Sequence, residues 1–196
     1  MKKSQRTALK RASEPAKPKN QPAAVERPGS WHLARTETER LLSDFEFRLE
    51  RLAQAYYRWK AACLAAVCDV PLTGDDVAVL NVVRMGDEPK RLSEVGQLLN
   101  RVDVPNLQYA ARKLVRAGLI ETEGGSSRKE TRYRATATGR SVTEAYAVLR
   151  AATLPPMLDA LDGWEAKSET ASIHLDLISS LYAQAAQAAI TRRHQP

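Results

Sequence analysis

Val102-Asp103-Val104-Pro105-Asn106-Leu107-Gln108-Tyr109-Ala110-Ala111-Arg112-Lys113-Leu114-Val115-Arg116-Ala117-Gly118 is the stretch on which the fold of this 196-residue chain turns. Leu107, Ala110, Ala111 and Leu114 recur at steps of three and four, the spacing that puts apolar side chains on one face of a helix. Asp103 is a good N-cap, and Pro105 sits in the first turn, where a missing N–H costs nothing. The helix is predicted to run to Ala117 and to stop at Gly118, a natural residue for the left-handed step after a helix. The buried set leaves Asn106, Gln108, Tyr109, Arg112, Lys113 and Arg116 outside.

Working outward from that helix, Ser93 is read as the cap of a short helix through Leu99, joined to it by the Asn100-Arg101 turn. Further upstream, Thr73 caps a helix with Asp75 and Asp76 in its first turn, where the dipole favours carboxylates, and with Val77, Leu80 and Val83 inward. Gly86 ends it. Downstream, Leu119–Glu123 reads as a strand, Gly124-Gly125-Ser126-Ser127 as a turn and Thr131–Thr136 as the returning strand, with Gly139 punctuating the chain beyond. Helix, short helix, helix and β-hairpin in that order make a winged helix-turn-helix. Amides and a guanidinium near the start of the central helix suit base edges in a major groove, where Asn or Gln reads adenine and Arg reads guanine. In the wing, Arg128, Lys129, Arg132 and Arg134 bring four cations within seven residues. Glu130 stands among them as a partner that neutralises part of this charge.

Long helices flank this unit. Between Arg35 and Asp69 there is no Pro or Gly, and Leu42, Phe45, Leu49, Leu52, Tyr56, Trp59 and Cys63 form a seam of period 3.5, the pattern that faces a partner helix. Such a helix is roughly 50 Å long, and Pro71 is expected to end it. Ser141–Leu154 reads as a helix ended by Pro155-Pro156, followed by a short helix to about Leu161. A last Ala-rich helix over 166–192 carries Ile173, Leu177, Leu181 and Ala185 on one side. The expected fold is therefore mainly α: residues 1–33 a disordered basic tail, 34–70 an N-terminal dimerisation helix, 71–140 a winged helix-turn-helix, and 141–196 C-terminal dimerisation helices.

The charge supports one polyanion-facing segment. Lys and Arg number 30 against 23 Asp and Glu, a net +7. Residues 1–30 carry +6 of it among Pro15, Pro18, Pro22 and Pro28, a composition too poor in apolar residues to order itself. Within the rest, residues 31–89 carry −3, residues 90–140 carry +6 and residues 141–196 carry −2. A single positive stretch between negative ones is the footprint of a face that meets nucleic acid. No run reaches the roughly 18–20 apolar residues of a membrane span, and no apolar leader follows the basic start, so a cytoplasmic, nucleoid-associated protein is expected.

The stretch Arg91-Leu92-Ser93-Glu94-Val95, the helix from Val102 to Ala117, Gly118-Leu119-Ile120 after it and Thr136-Ala137-Thr138-Gly139 at the end of the wing resemble the MarR family of bacterial transcription regulators. The resemblance spans roughly residues 35–192, flanking helices included. It implies a homodimer on double-stranded DNA that most often represses transcription. It also implies a wing arginine in the minor groove and, in the cleft between dimer helices and winged domain, a small aromatic effector. The family pattern has Asp-x-Arg in the wing; Ser126-Ser127-Arg128 keeps only the arginine, which puts Arg128 ahead of Lys129 and Arg132 for that role. Pro105 stands where the family often has a hydroxyl residue, so no operator sequence carries over. Two-fold symmetry predicts a pseudo-palindromic operator with half-sites about 10 base pairs apart.

Other chemistry is thin. Tyr56, Trp59 and Trp31 are candidates for lining the effector cleft, although aromatic residues at this spacing more often form dimer core. Cys63 and Cys68 fall about 140° apart on the predicted helix, which opposes a disulfide between them. Redox sensing is the functional reading of these cysteines, and a small buried hydrophobe the commoner one. His32, His174 and His194 are scattered, so no metal site is expected. No phosphate-binding loop, nucleophile elbow or His-centred triad is present, so neither catalysis nor a cofactor is expected. Two other functions use the same features: an architectural DNA binder working through its tail, and a dimeric scaffold for protein partners.

Overall fold

The computed structural model describes residues 32–124 and 130–193. The chain divides into two compact units, residues 1–49 and 50–196. The first contains the start of α1 (Glu37–Ala65). Here Glu39 Oε2 accepts the backbone N–H groups of Arg35 and Thr36 at 2.7 and 2.9 Å, and Thr36 Oγ1 accepts that of Glu39 at 3.2 Å. This reciprocal capping box fixes where the helix begins.

The second unit follows the end of α1 with α2 (Gly74–Arg84), β1 (Lys90–Arg91), α3 (Leu92–Leu98), α4 (Val104–Arg116), β2 (Ile120–Glu123), β3 (Arg132–Ala135), α5 (Ala137–Asp159) and α6 (Trp164–Arg193). Its core is built from Val77, Val79, Leu80 and Val83 of α2, Val95 of α3, Leu107, Ala111 and Leu114 of α4, with Leu119 and Ile120 behind them. Each Val, Leu or Ile side chain among these contributes about 1.5–3 kcal/mol by leaving water. Leu64 from α1 and Tyr146 from α5 enter the same core, so the flanking helices are packed into the winged unit. The strands form one antiparallel sheet in the order β1-β3-β2, with Tyr133 of β3 opposite both Lys90 and Thr122.

Several boundaries differ from the sequence reading. α1 stops at Ala65, six residues before Pro71, leaving Cys68 beyond the helix. α3 begins at Leu92 with Arg91 at the cap, because Glu94 turns back to accept the Arg91 N–H at 2.9 Å; Ser93 lies inside the first turn. α5 begins at Ala137, capped by Thr136 Oγ1 accepting Gly139 N–H at 2.9 Å. It also runs through Pro155-Pro156 to Asp159. Those prolines cannot bond to the carbonyls four residues back, those of Ala151 and Ala152. Both alanines are exposed, so the carbonyls left without that donor lie on an open stretch of the helix.

Other expectations hold. Thr73 and Asp76 cap α2 reciprocally, Thr73 Oγ1 accepting Asp76 N–H at 3.2 Å and Asp76 Oδ2 accepting Thr73 N–H at 2.9 Å. α4 closes with Gly118 at φ +69°, Gly118 N–H donating to Val115 O and Leu119 N–H to Leu114 O. That double bond pattern requires a left-handed residue at its hinge. Along α6, Ile173, Leu177 and Leu181 are all exposed in the single chain. Asn100, itself at φ 51°, donates from Nδ2 to Ser179 Oγ of α6 at 2.8 Å, tying this helix to the turn before α4.

Candidate nucleic-acid interface

The outer face of α4 follows from its inner one. At about 100° per residue, Pro105, Tyr109, Arg112 and Arg116 fall in one row directly opposite Leu107, Ala111 and Leu114, and all four are exposed. Gln108, half-buried, lies on one flank of the row, and exposed Asn106 on the other. The six candidates of this helix are therefore not equivalent. Lys113 is set apart from the rest: its ammonium lies 2.7 Å from Asp76 Oδ2, a carboxylate buried on α2 and already holding the Thr73 cap. Its charge ties α4 to α2.

The wing sorts in the same way. Arg132 Nη1 donates to the Pro89 carbonyl at 2.9 Å and lies 3.9 Å from Glu94, so it joins β3 to the loop before β1. Arg134 Nε lies 2.8 Å from Glu121 and 3.4 Å from Glu123 across the sheet. Arg128 and Lys129 lie outside the described residues. Among the described residues no carboxylate pairs with Arg112 or Arg116. These two guanidinium groups share a cavity of about 340 Å³ with Val115, Thr122 and Tyr133, between α4 and the wing sheet. An unpaired, solvated cation beside a groove is available to a phosphate; a cation already paired is not, short of breaking that pair.

The turn ahead of α4 gives Arg101 and Asp103 a pairing that the sequence reading did not foresee. Arg101 grips Asp103 with two parallel bonds, Nε to Oδ1 at 2.8 Å and Nη2 to Oδ2 at 2.6 Å. Its Nη1, buried, faces Asp75 of α2 at 3.5 Å. Asp103 stands at the start of α4 as expected, but its carboxylate goes to Arg101 and does not cap the helix. The Arg101 guanidinium holds the Asp103 carboxyl well below the usual carboxylate range. A carboxyl lowered in the fold stabilises it fully above about pH 4 and progressively less as acid approaches the lowered value. Asp103→Asn is therefore expected to be less stable than the parent near pH 7, with the gap narrowing by about pH 3. Urea unfolding midpoints at the two pH values measure this; a gap that stays constant contradicts it.

Residues 72–139 match the family model described as the winged helix DNA-binding domain. These residues fold as a winged helix domain. No curated protein matches the chain by sequence. Among solved structures, reduced AbfR of Staphylococcus epidermidis bound to DNA is 18% identical with a TM-score of 0.59, over 74% of this chain and 99% of that one. Sco5413, a MarR family transcriptional regulator from Streptomyces coelicolor, is 20% identical with a TM-score of 0.56, over 71% and 95%. The PcaV transcriptional regulator from Streptomyces coelicolor, in complex with its natural ligand, is 19% identical with a TM-score of 0.52, over 81% and 99%. The chain thus shares the fold of these structures, mainly helical with a small antiparallel sheet.

Behind the winged helix domain, Tyr56 and Trp59 of α1 line a cavity of about 390 Å³ with Asn81 and Arg84 of α2 and Thr143, Glu144, Tyr146 and Arg150 of α5. The Tyr56 and Trp59 rings stack at 6.3 Å with 26° between their planes. Arg84 is held by Asp87 at 2.7 Å. Cys63 is buried under this region, and burial raises its thiol, which keeps it in the unreactive protonated form. Cys68, half-buried, lies past the end of α1. Among the described residues no three His, Cys, Asp or Glu side chains gather as metal ligands, and no helix is long and apolar enough to cross a membrane. Trp31 and His194 lie outside the described residues.

Proposed function

We propose that the protein is a transcription regulator that binds a specific DNA site as a homodimer, acting most simply as a repressor. The observation that carries this reading is the contrast within α4 and the wing. Arg112 and Arg116 are exposed on the outer row of α4 without carboxylate partners, whereas Lys113, Arg132 and Arg134 serve bonds within the domain. In this reading α4 enters a major groove with Asn106, Gln108 and Tyr109 toward the bases, and Arg128 and Lys129 carry the wing to the minor groove. AbfR is seen bound to DNA with the same fold. Dimerisation uses the apolar residues that one chain leaves exposed, Ile173, Leu177 and Leu181 of α6 together with Leu52 and Tyr56 of α1. In the dimer, residues 1–33 are a basic arm on phosphates, 34–70 and 141–196 supply the interface, and 71–140 read DNA. A small aromatic effector in the cavity beside Tyr56 and Trp59 shifts the spacing of the two reading heads, and Cys63 and Cys68 are packing residues rather than oxidant sensors.

Selection from a random duplex pool with the full chain, at about 150 mM salt, tests the reading. An enriched inverted repeat with centres about 10 base pairs apart is expected. A pool that stays random while bulk DNA is still bound overturns it in favour of an architectural binder; no binding at all leaves a scaffold.

A further inference from the structure

The leading edge of α4 is apolar, and the structure holds it in water. Val102 is 94% exposed, Val104 is 52% exposed and Tyr109 is 57% exposed, with exposed Pro105 between them. Isolated surface valines need no explanation, but here four exposed apolar residues fall within eight positions at the start of α4, the helix proposed to enter the groove. Moreover, their exposure is enforced. Asp103 has φ −82° and ψ 67°, and Val104 N–H donates to Val102 O at 3.0 Å, an inverse γ-turn. On either side of Val102, Arg101 and Asp103 are clamped to each other, and Arg101 also faces Asp75. Both neighbours are engaged with each other, and Val102 between them stays outside. Pro105 fixes its own φ and so stiffens the same first turn.

Further along the outer row lie Arg112 and Arg116, one and two turns beyond Tyr109. A surface that begins apolar and ends cationic matches one feature of DNA. On the floor of the major groove the only apolar group is the C5-methyl of thymine, and the walls are phosphate. Valine and proline have no hydrogen bond to offer a base edge, so what they distinguish is the presence of a methyl. The geometry points to Val102 and Pro105 as thymine readers: each half-site carries thymines under the start of α4, recognised by methyl burial rather than by hydrogen bonds. This rests on the DNA-reading role proposed above and adds which bases are read and how.

Deoxyuridine, which is thymidine without that methyl, gives the test. In the duplex enriched by selection, each thymine of a half-site is replaced in turn by deoxyuridine, and fluorescence anisotropy measures the affinity of the full chain. One or two positions per half-site are expected to lose about fourfold in affinity each, the worth of one buried methyl. The Val102→Ser, Pro105→Ser double variant, whose changes lie on the surface and whose folding circular dichroism checks, is expected to bind thymine and deoxyuridine duplexes equally. Three outcomes overturn the proposal while the regulator reading stands: an enriched half-site without thymine, affinity indifferent to deoxyuridine, or a deoxyuridine penalty that persists in the double variant. A pool that never enriches removes the regulator reading and this proposal together.

Discussion

Gly139→Ala is expected to lower the thermal midpoint of the protein by about 6–12 °C. A Cβ at that position would lie 1.9 Å from the Leu119 carbonyl oxygen and 2.9 Å from its carbon. Both are backbone atoms, so no rotamer change relieves the clash. The carbonyl cannot retreat freely either, since it accepts Thr136 N–H at 3.1 Å and lies 3.3 Å from Thr136 Oγ1. Thr136 is the cap of α5, and Leu119 opens the wing next to the end of α4. The clash therefore pushes apart the joint at which α4, the wing sheet and α5 meet. Overpacking of this kind costs about 3 kcal/mol, and 1 kcal/mol is worth about 2–4 °C in a chain of this size. Gly118→Ala is the informative contrast. Its φ is +69° and nothing lies within 4 Å of the added Cβ. Only the left-handed backbone is penalised there, by about 1 kcal/mol, so its midpoint falls by about 2–4 °C. Calorimetry on the two variants measures both. Equal losses would show that backbone conformation, not the close approach, sets the cost at residue 139.

This joint shows where the sequence was readable and where it was not. Local signals were enough for Gly118, for the Thr73 cap and for the inner face of α4, because each is written within about one or two turns of chain. Gly139 was recognised only as punctuation. Its role depends on Leu119, twenty residues away, and no periodicity encodes that approach. β1 has two residues and shows no alternation to detect. Pro155-Pro156 carried a strong local stop signal, yet α5 runs through both to Asp159.

For the site, the residue types on α4 were legible but their duties were not. Lys113 is paired with a residue 37 positions earlier, Arg132 with a carbonyl 43 positions earlier and Arg134 with a residue 13 positions earlier. Sequence alone counts cations, and only tertiary structure shows which have been used. The same holds for Val102. Arg101 was read as part of a turn and Asp103 as a cap, and nothing local says that the two turn toward each other and leave the valine outside.

Removing the two cations on the outer row of α4 is expected to have the largest effect on function. Arg112→Ala with Arg116→Ala takes four guanidinium groups from a DNA-bound dimer. With about 0.9 of a counterion per phosphate contact, the slope of log affinity against log salt falls by about three to four. Affinity at about 150 mM salt then drops on the order of a hundredfold. The fold is spared, because both side chains are exposed and pair with no carboxylate among the described residues. Arg134→Ala removes the same charge from a residue already held by Glu121 at 2.8 Å. Its effect on DNA affinity is expected to stay within about threefold, as fits a surface ion pair. The decisive measurement is fluorescence anisotropy of parent, double variant and Arg134→Ala on the selected duplex across a salt series. Loss of affinity and of salt slope in the double variant, with Arg134→Ala close to parent, is the result expected if the outer row of α4 meets DNA. Parent-like binding by the double variant, or a larger loss in Arg134→Ala, would contradict the account.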